Sequence, residues 1–143
     1  MIPCPSCRKP TSEGPACASC GADMRLPLLL DRIGRLCFNR ALEVVEEDPA
    51  SAENQLCAAC ALMPLRPEPH RALGKLRARG GRLADAAFEL QLALKLAPDD
   101  EGARRALLEV ERLARRERRL LFAAPLALAV LTAACAVLFF VLR

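Results

Sequence analysis

The chain has 143 residues, is 53% hydrophobic and carries a formal charge of +4. The apolar excess sits at one end, because residues 120–143 hold a single charge, Arg143. Without that tail and a cysteine-rich start, about 95 residues remain, enough for a modest helical core but not for a large enzyme pocket. One histidine, no phosphate-binding glycine loop and no paired acids beside an apolar run give no catalytic constellation, so no enzyme is expected.

The first 24 residues carry Cys4, Cys7, Cys17 and Cys20 as two Cys-x2-Cys pairs, with Pro5, Pro10, Gly14, Pro15 and Gly21 between and around them. Two residues between paired thiols let both sulfurs of a tight turn face one ion. Four thiolates satisfy the tetrahedral preference of zinc and leave no position for water or substrate, so the expected role is structural Zn2+. The alternative is a pair of disulfides, which requires an oxidising compartment. The segments CPSC and CASCG resemble short zinc-ribbon modules, a likeness confined to residues 1–24.

Two amphipathic patterns follow. Leu29, Ile33, Leu36, Cys37, Ala41 and Val44 recur at three- and four-residue steps, as do Leu83, Ala86, Ala87, Leu90, Ala93 and Ala97. Asp48-Pro49 opens a helix with a cap and a first-position proline, while Pro64 and Pro98 end others. Strand-forming alternation is scarce outside the cysteine module. The expected fold class is therefore mainly α. Cys37, Cys57 and Cys60 are expected as small packing residues on helices, and His70 as a partly exposed helix residue.

A period is present: Ala52 and Ala86, Leu56 and Leu90, Ala59 and Ala93, Leu62 and Leu96, and Pro64 and Pro98 are each 34 residues apart. That is the length of one helix–turn–helix repeat unit. Residues 66–99, with Leu73-Gly74, Gly80-Gly81, Ala86, Leu90, Ala93 and Pro98, resemble a tetratricopeptide unit. They depart from it at His70 and Arg77, where large aromatics are usual. The preceding unit keeps only its second helix in register, and residues 26–99 are read as one tetratricopeptide-like region of antiparallel hairpins. In that family the first helix of each hairpin lines a groove. The resemblance therefore implies that Arg71, Lys75 and Arg79, with Arg105 and Arg112 on the next helix, face a protein partner with an acidic segment. So few units are marginal alone, so stability is expected to draw on a partner, a second copy or a bilayer.

Residues 100–119 form a basic helix whose Ala103, Leu107, Val110 and Ala114 cover the end of the second unit. Residues 120–142 reach about 34 Å as a helix, enough for one bilayer crossing. Arg112, Arg115, Arg116, Arg118 and Arg119 before the span, against Arg143 after it, predict that the soluble part stays cytoplasmic. The sequence thus predicts a single-pass, tail-anchored interaction module. The rival reading is a membrane-tethered zinc module contacting nucleic acid. Balanced charge at residues 1–24 and the lack of aromatics there argue against it.

Overall fold

The computed structural model describes residues 2–11 and 14–141, with side chains described as far as Leu121. Two short strands, β1 (Ile2–Pro3) and β2 (Pro10–Thr11), pair antiparallel with Ile2 opposite Thr11. Five helices follow: α1 (Arg25–Val44), α2 (Pro49–Leu62), α3 (Pro67–Arg79), α4 (Leu83–Leu96) and α5 (Glu101–Val141). The chain is mainly helical, with a cysteine cluster near its start. Each helix packs on its neighbour in sequence.

Local chemistry sets several of the boundaries. The Asp48 carboxylate accepts from the Ser51 amide at 3.0 Å and caps α2 one residue before Pro49. Asp100 does the same for α5, accepting from the Ala103 amide at 3.0 Å. Between α3 and α4 the chain turns on Gly80-Gly81, where Gly81 takes φ +77°, a conformation costly for residues with a Cβ.

The predicted period is present in three dimensions. Both α2 and α4 run for 14 residues, and their first residues, Pro49 and Leu83, are 34 apart. The first residues of α3 and α5, Pro67 and Glu101, are 34 apart as well. Ala52, Leu56 and Ala59 are buried on α2, and Ala86, Leu90 and Ala93 are buried on α4. Small residues on this face bring the helices close. A Cβ on Gly74 would lie 2.8 Å from Leu90 Cγ and 3.1 Å from the Ala86 carbonyl oxygen. One core joins Ala41, Ala52, Leu56, Leu73 and Leu76; a second joins Leu83, Ala86, Leu90 and Val110. Of the four α5 residues expected to cover the second unit, Ala103 and Val110 are buried and Leu107 packs on the second core, whereas Ala114 is exposed.

Two expectations are corrected. The buried residues of α1 are Asp31, Gly34 and Ala41, while Leu29, Ile33 and Leu36 are 52%, 40% and 64% exposed. The reason is close packing at Gly34, whose missing side chain admits Met63: a Cβ there would lie 2.5 Å from Met63 Cγ. His70 is buried, not partly exposed. Among the described residues no helix is long and apolar enough to cross a membrane. The predicted span at 120–142 falls, after Leu121, outside the residues whose side chains are described.

Candidate metal centre and groove

The two Cys-x2-Cys segments fold into the same turn twice. The Cys4 amide donates to the Lys9 carbonyl at 2.9 Å and the Arg8 amide to the Cys4 carbonyl at 2.8 Å. Thirteen positions on, the Cys17 amide donates to the Ala22 carbonyl and the Gly21 amide to the Cys17 carbonyl, each at 2.8 Å. The fifth residue of each turn has positive φ, +60° at Arg8 and +71° at Gly21. Glycine meets that demand freely, whereas Arg8 meets it at a strain cost. Each turn points its amides at its sulfurs.

The four Sγ atoms lie within 4.8 Å of one another, with Cys4–Cys20 at 3.7 Å and Cys7–Cys17 at 3.8 Å. Sulfurs 2.3 Å from a tetrahedral ion stand about 3.8 Å apart, whereas a disulfide requires about 2.05 Å. The geometry suits a metal ion bound by four free thiols. All four predicted ligands are brought together. The Ile2, Cys4, Cys17 and Met24 side chains form a small core beneath them, and the Met24 amide ties α1 to the Pro15 carbonyl at 2.8 Å.

The thiols compete for negative charge. Amides of Ser19 and Cys20 hold Cys17 down to about 6, and the Cys7 amide lowers Cys4 against its burial. Cys20 is pushed up to about 12: the Ala22 amide favours its thiolate, but Cys7, burial, Cys17 and Cys4 together outweigh it. One thiolate forms readily and the last resists. A divalent cation removes that conflict, because its charge offsets the mutual repulsion.

A second polar group lies inside the helical part. His70 Nδ1 is 2.8 Å from Glu89 Oε2. Arg77 donates from Nη1 to Glu89 at 3.0 Å and from Nε to Glu53 at 3.2 Å, and Arg82 donates to Glu53 as well. Hydrogen bonds from Arg82 and Arg77 hold the Glu53 carboxyl below its ordinary value against burial. Beside this ladder Cys60 is half-buried, and burial pushes its thiol up to about 12. Cys57, expected to pack, is exposed and 3.9 Å from Arg77 Nη2. Sequence reading missed the ladder, although His70 and Arg77, seven residues apart at aromatic positions of the repeat, carried the signal.

The five basic residues assigned to a groove separate. Lys75 and Arg79 line a groove of about 390 Å³ between α3 and α5, floored by Leu90 and Val110, with Glu109 and Leu113 on the far wall. Arg71 is bound to Asp100 at 2.7 Å, and Arg79 to Glu46 at 2.8 Å. Arg105 and Arg112 are exposed on α5 and do not line the groove. Among the described residues Lys75, Arg105 and Arg112 have no ion pair.

No protein-family model matches the chain, and no significant match to a curated protein was found.

Proposed function

We propose that this chain is a membrane-anchored docking module: a zinc-bound knuckle at residues 1–24, tetratricopeptide-like hairpins over 26–99 and an anchor at 120–142. The α3–α5 groove accepts an acidic segment of a partner protein. One observation carries the reading, the juxtaposition of Lys75, without an ion pair among the described residues, with the Glu46-bound Arg79 above an apolar floor in a concave surface, across from Glu109. Carboxylates at such a site gain charge-assisted hydrogen bonds while neighbouring apolar side chains cover the exposed Leu113. Supporting it are the 34-residue spacing of helix starts and the burial of matched small residues on α2 and α4. Zinc is favoured because four thiolates at tetrahedral spacing are its preferred closed set. The exposed Arg115, Arg116, Arg118 and Arg119 next to the apolar tail suit an acidic headgroup layer on the cytoplasmic face.

A photocrosslinker placed at Ala78, on the α3 side of the groove, tests docking in native membranes. The expected adduct carries an acidic segment at the linked site and disappears in Lys75→Glu/Arg79→Glu. An adduct whose yield is unaffected by that charge reversal rejects a basic groove as the docking surface. Fractionation tests the anchor separately: a chain recovered in the supernatant without detergent rejects it.

A further inference from the structure

Cys60 on α2, His70 on α3 and Glu89 on α4 belong to three successive helices and meet in the interior. One donor atom from each, the Cys60 sulfur, a ring nitrogen of His70 and a Glu89 carboxylate oxygen, lies within 4.8 Å of the other two. His70 is 6% exposed and Glu89 8%. The Nδ1 contact at 2.8 Å orients the imidazole on Glu89, yet His70 Nε2 is buried with no hydrogen-bond partner among the described residues. Buried polar atoms are nearly always paired, so this one marks an unfilled bonding position.

A structural ladder alone does not require this histidine. Arg77 already balances Glu89 through Oε1, and beyond the His70 contact at Oε2 a carboxylate with four lone-pair sites keeps acceptor capacity for an ion. Sulfur, imidazole and carboxylate together are the donor mix of intermediate-softness divalent ions. We propose that Cys60, His70 and Glu89 form a second metal site, separate from the four-cysteine cluster, for a divalent transition ion that clamps α2, α3 and α4. The ion takes the Cys60 thiolate and the thiol proton leaves to solvent, with no change of oxidation state. With bonds of about 2.3 Å to sulfur and 2.0–2.2 Å to nitrogen and oxygen, donors on one tetrahedral ion stand about 3.3–3.8 Å apart, a spacing within the 4.8 Å these three already share.

Anaerobic titration of the reduced full-length chain in detergent with Co2+ tests this. Wild type is expected to bind two equivalents, one with the intense sulfur-to-metal bands of four thiolates and one with the weaker bands of a single thiolate. Cys60→Ala and the size-matched Glu89→Gln should each bind one, with the four-thiolate bands intact as evidence of folding. Replacing Cys4, Cys7, Cys17 and Cys20 with serine should leave the other equivalent. One equivalent in wild type with bands unaltered by Cys60→Ala, or two equivalents in both interior variants, overturns the second site. Absence of the four-thiolate bands from wild type, with the interior equivalent present and lost in Cys60→Ala, supports this site and counts against the N-terminal cluster alone.

Discussion

Gly74→Ala places two terms of opposite sign in competition. In a helix interior alanine is favoured over glycine by about 0.8–1.0 kcal/mol, so an exposed site would gain stability. Here the added methyl meets Leu90 Cγ at 2.8 Å and the Ala86 carbonyl oxygen at 3.1 Å. Leu90 is fully buried and the carbonyl is backbone, so neither retreats without shifting α4 against α3. Overpacking of this kind costs about 1–3 kcal/mol, which outweighs the propensity gain and leaves a net loss of about 1 kcal/mol. For a domain of this size that lowers the melting temperature by about 4–8 °C. Gly80→Ala is the control: its φ is −79° and its nearest neighbour would be the Arg77 carbonyl oxygen at 3.5 Å. Thermal unfolding followed by far-UV circular dichroism on the full chain should show Gly74→Ala melting below wild type and Gly80→Ala at or above it. A Gly74→Ala variant as stable as Gly80→Ala would refute the close α3–α4 approach.

The paired turns of the cysteine module are unequal in their tolerance. Gly21→Ala, at φ +71°, should weaken metal binding about fivefold to thirtyfold, because strain of about 1–2 kcal/mol is charged to a fold that the metal completes. Arg8→Gly, at φ +60°, should not weaken it; competition with a chromophoric chelator reads both, and equal affinities for Gly21→Ala and wild type would discount the turn geometry. Acid should also unfold the helical part in a defined window. Glu53 is held below its ordinary 4.5 by Arg82 and Arg77, and Asp100 below 3.8 by the Ala103 amide against burial, with Arg71 assisting. Depressed carboxylates contribute stability that is complete above those ordinary values and is lost as pH falls through the lower folded ones. The melting temperature should therefore hold from pH 7 to about 5 and fall below about 4.5, less steeply in Asp100→Asn. A flat profile to pH 3 would remove the ion pairs from the account.

Sequence alone determined what short-range chemistry controls. The spacing of Cys4, Cys7, Cys17 and Cys20 forces two like turns, Asp48-Pro49 starts a helix from its own side chain, and Gly80-Gly81 supplies the positive φ of the α3–α4 turn. The period of 34 was legible because matched small residues must recur wherever like helices meet. Tertiary structure decided which face of α1 is buried. Leucines at helical spacing mark an apolar face, but Gly34 permits the closer contact, and the interior goes to the face that packs. Partner choice was decided there too. Arg71 and Arg79 resemble Lys75 in sequence, yet Asp100 is 29 residues from Arg71 and Glu46 is 33 residues from Arg79. His70 likewise found Glu89 from 19 residues away. Such pairings depend on how helices are set against one another, and no local pattern encodes that distance.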